Sequence, residues 1–133
     1  MGLRITDLLQ LSSLKTVSVI SQDDAYVVVA EGRMVPKACP DCRSGRLYGH
    51  GTNGQTYRDT PIHGKTVQIT VNRRRYRCQN CGKTLFDPIP DLDAKRLATS
   101  RLIAYVRANC FQEPFAVVAR RVAMDEKTVR QIF

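Results

Sequence analysis

Alternation of apolar and polar residues dominates the first two thirds of the chain and predicts β-strands. Residues 65–72 alternate without interruption, and the strand pattern runs on through an arginine-rich stretch to residue 77. Residues 25–30 form a second apolar run, which follows residues 17–20 across a polar cluster and is typical of a β-hairpin. Because residues 25–30 are apolar on both faces, we expect the segment after residue 38 to cover one of those faces.

Shorter elements are predicted on either side of these strands. Residues 5–14 fit a short helix with Thr6 as its N-cap. Between residues 46 and 60, two short strands are expected to flank a glycine-containing turn at residues 51–54. Pro61 is expected to end the second of these strands, because proline does not donate to a β-ladder.

The apolar period becomes helical after residue 98. Thr99 or Ser100 is the expected N-cap of a first helix, Pro114 suits the first turn of a second, and Asp125 is the expected N-cap of a third. Four small or apolar residues share one face of the first helix: Leu102, Ile103, Val106 and Cys110. Cys110 is therefore interpreted as a core residue and not as a ligand.

The second and third helices have helix-turn-helix spacing. Ala119 is small where such helices touch, and Ala123 stands in the turn, where glycine is more usual. Inward-facing residues are expected to be Val118, Val122, Met124, Val129 and Ile132. An ordinary helical hairpin is the alternative. The third helix would present Glu126, Lys127, Thr128, Arg130 and Gln131 outward. Arginine, lysine and glutamine can read base edges in the major groove.

Charge is distributed unevenly along the 133 residues, whose net charge is +9. Residues 39–81 carry +6 before any metal, residues 94–133 carry +5, and an acidic, proline-containing segment lies between them. Two basic regions predict a polyanionic partner with two contact regions, with a passive basic surface as the alternative. No apolar run approaches the roughly 20 residues of a membrane span, so no membrane partner is expected.

Four of the five cysteines form two Cys-x-x-Cys pairs. Cys39 and Cys42 open this region and Cys78 and Cys81 close it, which predicts one tetrahedral four-thiolate Zn²⁺ site. Gly82 suits the left-handed conformation that follows such a knuckle. Disulfides and a redox pair fit the sequence less well, whereas an iron site would use the same ligand geometry. With little apolar core of its own, this region should need the metal to fold.

Basic residues of this region are candidates for phosphate contacts. Arg73, Arg75 and Arg77 share one face of their strand if it stays regular, and Arg74 faces the other way. The alternative is a solvated strand edge. His50 and His63 are interpreted as surface or turn residues, since four thiolates already complete the tetrahedron. The expected DNA contacts are Arg58, Arg73, Arg75, Arg77, Arg120, Arg121, Lys127, Thr128, Arg130 and Gln131.

The combined motifs resemble the N-terminal region of insertion-sequence transposases of the ISL-three type. The resemblance is carried by Cys-Pro-x-Cys at residues 39–42, by residues 57–61, and by Arg-Arg-Tyr-Arg-Cys-x-x-Cys-Gly at residues 74–82. Similar sequence continues at residues 94–102 and 118–129. It implies a zinc finger followed by a helix-turn-helix that recognises terminal inverted repeats.

The same resemblance implies no catalysis by this chain. The family's catalytic carboxylates lie downstream of the helix-turn-helix, so we expect no strand transfer here. We also expect a third helix ending at Phe133 to fray without further residues or a partner.

The sequence thus predicts an α+β protein: a small antiparallel zinc ribbon followed by an all-helical segment. Four parts are expected: residues 1–38, packing on the ribbon; 39–86, the zinc ribbon; 87–98, an acidic linker; and 99–133, the helix-turn-helix. The expected partner is double-stranded DNA in the cytoplasm, at the nucleoid, with a homodimer as an option and no small-molecule substrate. Two rivals are a protein-interaction or dimerisation module using Val27, Val29 and Ile132, and a redox or nuclease enzyme.

Overall fold

The computed structural model describes residues 9–93 and 95–133, which hold one β-sheet and three helices. The strands are β1 (Leu14–Ser21), β2 (Ala25–Gly32), β3 (Leu47–Ile62), β4 (Lys65–Cys78), β5 (Thr84–Phe86), β6 (Leu92–Asp93) and β7 (Ala98–Thr99). The helices are α1 (Ser100–Asn109), α2 (Phe115–Val122) and α3 (Glu126–Ile132). The strand order is β1-β2-β4-β3-β7-β6. Strand β5 pairs with residues 75–77 of β4, beyond the part of β4 that pairs with β2. None of the described helices is both long enough and apolar enough to cross a bilayer.

The sheet as a whole is mixed, because the ribbon's strands also pair with strands outside the ribbon. The predicted hairpin is present, because β1 and β2 pair antiparallel. Strands β3 and β4 also pair antiparallel, across the predicted turn at His63 and Gly64, whose φ angles are 53° and 72°. Two consecutive positive φ angles are the mark of a type I′ hairpin turn. Strand β2, however, pairs parallel with β4, so the N-terminal hairpin extends the ribbon's own sheet.

Two predicted interruptions of β3 are wrong. The strand runs through the expected turn at residues 51–54 and through Pro61. Both sites fall at irregularities in the β3–β4 register, between Gly49 and Thr52 and between Asp59 and Ile62. A bulge accommodates such residues while the long partner strand keeps the pairing continuous.

The predicted N-terminal helix lies mostly outside the described residues. Residues 1–8 include its Thr6 cap and its first turn. The part that the structure describes, residues 9–13, is not helical, and Leu14 already begins β1. Leu9 and Leu14 are buried in the core of the sheet.

One face of the sheet carries the main core. Nine buried residues form it: Leu9, Leu14, Val28, Ala30, Tyr57, Val67, Ile69, Val71 and Ile89. Val27 and Val29 lie on the opposite face and are half-buried. The expectation that the ribbon covers one face of β2 is therefore wrong, since the ribbon meets β2 edge to edge through β4.

The predicted linker packs against the sheet over its described residues. Asp87 and Ile89 are buried, and residues 92–93 and 98–99 form the short strands β6 and β7. Gly32 accommodates Asp87, because a β-carbon at that position would lie 2.5 Å from an oxygen of this carboxylate.

The three helices form a second core. Thr99 caps α1 and Asp125 caps α3 through their side chains, as predicted, whereas Pro114 stands at the N-cap of α2. Val118, Val122, Val129 and Ile132 are buried, with Cys110 and Met124 packed partly buried against them. Because Ile132 is 2% exposed, the interaction surface predicted to use it is wrong at that residue.

Candidate metal centre and basic surfaces

The two Cys-x-x-Cys turns have the same backbone hydrogen-bond pattern. In the first, the Arg43 amide donates to the Cys39 carbonyl at 2.8 Å and the Cys39 amide to the Ser44 carbonyl at 2.9 Å. In the second, the Gly82 amide donates to the Cys78 carbonyl at 3.0 Å and the Cys78 amide donates to the Lys83 carbonyl at 2.9 Å. Each turn therefore presents two sulfurs from one tight loop.

Both turns close through a residue with positive φ. As predicted, Gly82 takes this conformation, with φ 77°. Arg43 occupies the equivalent position in the first turn with φ 62°, where a side chain is unfavourable.

The four sulfurs lie together in a geometry that suits one zinc ion. The Sγ atoms of Cys39, Cys42, Cys78 and Cys81 all lie within 4.8 Å of one another. The Cys39–Cys81 and Cys42–Cys78 Sγ pairs are each 3.5 Å apart. A tetrahedral Zn²⁺ with Zn–S bonds of about 2.3 Å sets its sulfurs roughly 3.8 Å apart. The donor set therefore fits one Zn²⁺, which would join the two turns.

The thiols of this cluster do not share one pKa. Hydrogen bonds from the Asn80 side chain and the Ser44 amide lower the pKa of Cys42 to about 6. The Lys83 amide acts in the same direction on Cys81, but the neighbouring thiols and burial outweigh it and raise the pKa of Cys81 to about 12. Because zinc binds thiolates, its binding displaces the proton that the raised pKa keeps on Cys81.

Comparison with known families identifies the segment that carries these cysteines. Residues 36–81 match the family model described as the zinc-finger of transposase IS204/IS1001/IS1096/IS1165. This segment is similar to a transposase zinc ribbon. The match includes all four cysteines and the whole β3–β4 hairpin, and it confirms the resemblance inferred from the sequence. No curated protein and no solved structure matches the chain significantly.

The four ribbon arginines predicted to contact DNA differ in their exposure and in their hydrogen-bond partners. Arg73 is engaged inside the protein: its Nε donates to Asp87 Oδ1 at 2.9 Å and its Nη1 to the Tyr57 hydroxyl at 3.1 Å. Arg58 donates to the side chain of Gln68, and Arg75 donates to the His50 carbonyl. Arg77 is exposed.

Arg73 and Asp87 form an ion pair that sequence reasoning missed. The Arg73 side chain is 12% exposed and that of Asp87 is 0% exposed. Arg74 approaches the second oxygen of the same carboxylate at 3.6 Å. Since an isolated buried carboxylate is costly, Arg73 acts as a structural partner of Asp87. The guanidinium of Arg73 is therefore engaged within the protein, which argues against the phosphate contact predicted for it.

The DNA contacts predicted on α3 also differ in their exposure. Lys127, Arg130 and Gln131 are exposed on α3, and Thr128 is half-buried. The Arg130 guanidinium pairs with Glu126 at 2.7 Å and lies 5.4 Å from the centre of the Phe115 ring.

The two arginines of α2 differ in their exposure and in their partners within the protein. Arg120 is exposed on α2, whereas Arg121 pairs with Glu113 at 2.6 Å and donates to the Tyr105 hydroxyl at 3.2 Å. Hydrogen bonds to Tyr105 and Glu113 raise the pKa of Arg121. Of this pair, Arg120 is the exposed side chain, and Arg121 is held by partners within the protein.

Two arginines that the sequence reasoning passed over hold the end of α3. Arg107 Nε donates to the Ile132 carbonyl at 3.1 Å, and Arg96 Nη2 donates to the Gln131 carbonyl at 3.4 Å. A cation at this position also complements the helix dipole. Side chains of α1 and of the segment before β7 therefore bind the last turn of α3, which opposes the predicted fraying.

The exposed cations nearest the cysteine turns were also missed. Arg43 and Arg46 follow the first turn and are exposed, and Lys83 follows the second, pairing with Asp41 at 3.1 Å. Because these cations follow the two Cys-x-x-Cys pairs closely in the sequence, their closeness to the metal site was predictable. The two histidines lie where predicted, His50 exposed on β3 and His63 in the β3–β4 turn, hydrogen-bonded to Tyr26.

Proposed function

We propose that this protein binds double-stranded DNA in a zinc-dependent, sequence-specific manner, similar to the transposon-end recognition region of a transposase. The observation that carries the proposal is the match of residues 36–81 to a transposase zinc finger, combined with four sulfurs in zinc-binding geometry. The basic charge of the ribbon and of the helical segment supports a polyanionic partner.

We assign base recognition to α3. We infer that α2, the turn and α3 act as a helix-turn-helix, which is supported by a left-handed residue at Ala123, a buried stripe through Val122 and Val129, and an exposed polar face on α3. Arginine and glutamine form bidentate contacts with guanine and adenine edges, so Arg130 and Gln131 are the principal readers. Lys127 and Thr128 extend that surface.

Phosphate contacts come from the exposed and half-exposed cations. Arg77 and Arg120 are exposed. Arg58 and Arg75 are half-buried, and their guanidinium groups donate to the Gln68 side chain and to the His50 carbonyl. Such contacts fix the register of a protein on DNA without reading its sequence. Among the described residues, the fully buried aspartates Asp59 and Asp87 each pair with an arginine, which supports a structural role for them.

The assignment of α3 is tested by sequence discrimination. A duplex selected from a random library by the wild-type protein is compared with a scrambled duplex by fluorescence anisotropy. Arg130→Ala and Gln131→Ala should each reduce the preference for the selected duplex by about tenfold, because a bidentate base contact is worth roughly 1–3 kcal/mol. Lys15→Ala, an exposed change on β1, is the charge-matched control for Arg130→Ala and should keep the preference. Unchanged discrimination in both α3 variants would contradict the assignment.

Dimerisation is a second candidate, favoured by one edge of the sheet. Among the described strands, β1 pairs only with β2, and its Val17 and Ile20 are 55% and 56% exposed. A strand edge with apolar side chains is a surface for pairing with a second chain. If β1 forms a dimer, Ile20→Lys should shift sedimentation from dimer to monomer. A wild-type protein that sediments as a monomer at high concentration would remove this candidate.

A further inference from the structure

A buried carboxylate joins the sheet to the start of α1. Asp59 of β3 is 1% exposed. Its Oδ1 accepts hydrogen bonds from Thr99 Oγ1 at 2.7 Å and from Arg101 Nε at 2.8 Å. Arg101 Nη2 binds the second oxygen, Oδ2. An ionised carboxylate removed from water requires such partners, so this geometry is strongly constrained.

Thr99 links this carboxylate to the backbone of α1. Its hydroxyl donates to Asp59 and accepts from the Leu102 amide at 3.2 Å, which makes Thr99 the N-cap of the helix. One residue earlier, Ala98 of β7 pairs with Arg58 of β3, and the Arg58 amide donates to the Leu97 carbonyl at 2.9 Å. The first turn of α1 is therefore hydrogen-bonded to β3 through side chains and backbone.

Further contacts bind the same place to the segment before β1. Arg101 Nη1 donates to the Leu9 carbonyl at 2.7 Å. Asp91 accepts from the Ser13 amide at 3.2 Å through its side chain and from the Ser100 amide at 2.9 Å through its carbonyl. Asp91 belongs to residues 87–98, which the sequence predicted to be a linker.

The orientation of α3 follows from that of α1. Leu102 and Val106 of α1 are buried in one cluster with Val118 of α2 and Val129 of α3. Arg107 of α1 also donates to the Ile132 carbonyl of α3. Because α1 is held at Asp59 and packs against α3, the position of α1 determines the position of α3.

We propose that Asp59, Thr99 and Arg101 form a rigid joint that sets the position of α3 relative to the zinc ribbon, so that the protein selects DNA in which the two contacted segments have one fixed spacing. This inference rests on the proposed DNA binding and adds a specificity determinant outside both contact surfaces. A flexible linker would give the opposite behaviour, because two tethered modules adapt to a range of spacings.

Spacing dependence of the wild-type protein is the primary test. The probe is the duplex selected from a random library, with hydroxyl-radical footprinting to locate the two protected segments. Inserting about five base pairs between the segments turns one away from the other by half a helical turn, and about ten base pairs separates them by roughly 34 Å. Both insertions should lower affinity at least about tenfold, since a module that does not reach its segment loses its avidity contribution.

The joint residues are tested by a matched pair of variants. Arg101→Gln removes the clamp on Asp59, and Lys95→Gln removes the same charge from an exposed side chain nearby. Arg101→Gln should reduce the insertion penalty to below about threefold, because the helices then adapt to the new spacing as tethered modules do. Lys95→Gln should keep the wild-type penalty.

The outcomes separate this inference from the function on which it rests. A wild-type protein that binds every insertion within twofold, or that protects one segment only, overturns the joint while leaving DNA binding intact. An unchanged penalty in folded Arg101→Gln overturns the role of these residues. If Arg101→Gln does not fold, the wild-type series decides alone. A wild-type protein that binds no duplex at low salt overturns both proposals.

Discussion

Ala123, in the turn between α2 and α3, is held in a conformation that suits glycine better. Its φ and ψ are 58° and 43°, and its amide bonds to the Ala119 carbonyl. A β-carbon makes the left-handed region unfavourable by about 1–2 kcal/mol, and the added chain entropy of glycine offsets part of that cost. Ala123→Gly should therefore raise the free energy of unfolding by about 0.5–1 kcal/mol, measured by urea denaturation of the zinc-loaded protein.

Ala104 is the matched control for this substitution. It is exposed within α1, where the backbone is helical. Ala104→Gly should lower the free energy of unfolding by about 1 kcal/mol. If both glycine variants are destabilised alike, the left-handed turn is not present in solution.

The cysteine ligands give a second prediction at the residue scale. Cys42→Ser should reduce bound zinc from one ion per chain to none and should unfold the ribbon, because the metal joins the two turns. Cys110→Ser should keep one zinc, since Cys110 packs among the helices. Zinc content is measured by atomic absorption and the ribbon's β-structure by circular dichroism. Stoichiometric zinc in Cys42→Ser would contradict the assigned ligand set.

Residue types and their spacing allowed the ligands and caps to be predicted, because those features are local. Cys-x-x-Cys, a capping Asp125 and an inward Val129 each depend on neighbours a few positions away. The roles of Arg73 and Arg101 depend on Asp87 and Asp59, which lie 14 and 42 positions away. No local pattern distinguishes an arginine that binds phosphate from one that neutralises a buried aspartate.

At the scale of the element, the Arg73–Asp87 pair anchors the segment after β5 to β4. Asp87→Asn removes the charge that balances Arg73 in a mostly buried site. Breaking a buried pair on one side costs about 3–5 kcal/mol, so this variant should be strongly destabilised in thermal or urea denaturation. Arg77→Gln, on the same strand but exposed, should change the free energy of unfolding by less than about 0.5 kcal/mol.

The same pair of variants separates folding from binding. Arg77→Gln should weaken DNA binding and reduce its salt dependence, because one phosphate contact is lost. A normal stability for Asp87→Asn would show that the carboxylate is not buried against Arg73.

Strand lengths were predicted less well than strand identities. Alternation of apolar and polar residues predicted β4, and the glycine after His63 predicted the turn, because both features are local in the sequence. The glycine and proline signals in residues 51–54 and at Pro61 pointed to breaks that the structure absorbs as bulges. Fourteen residues of β4 supply a long template, and pairing along it outweighs these local preferences.

At the scale of the whole molecule, the division into four parts underestimated how far the sheet extends. Strand β2 pairs parallel with β4, a contact between residues about 40 positions apart that no periodicity reveals. Residues 87–93 and 95–98 look like a linker by composition, yet they add short strands and the buried side chains of Asp87 and Ile89. Composition indicates that a segment is polar and proline-containing, but only tertiary packing shows whether it is bound to the rest of the chain.

The ribbon and the helices therefore share a continuous network of sheet pairing, buried ion pairs and helix packing. Zinc removal should affect both. Loss of the metal releases the two cysteine turns from each other, and β4, which the second turn follows, is the strand that pairs with β2, β3 and β5. The effect of zinc on DNA binding thus tests how the site, the sheet and α3 depend on one another.

The most direct test is a salt series of DNA binding by the full chain, with zinc measured in the same sample. We predict one zinc per chain, preference for the selected duplex over the scrambled one, and an affinity that falls steeply between about 50 and 200 mM salt as phosphate contacts are screened. Chelation should abolish the preference, and added zinc should restore it. Stoichiometric zinc with no binding to either duplex at low salt would contradict the account.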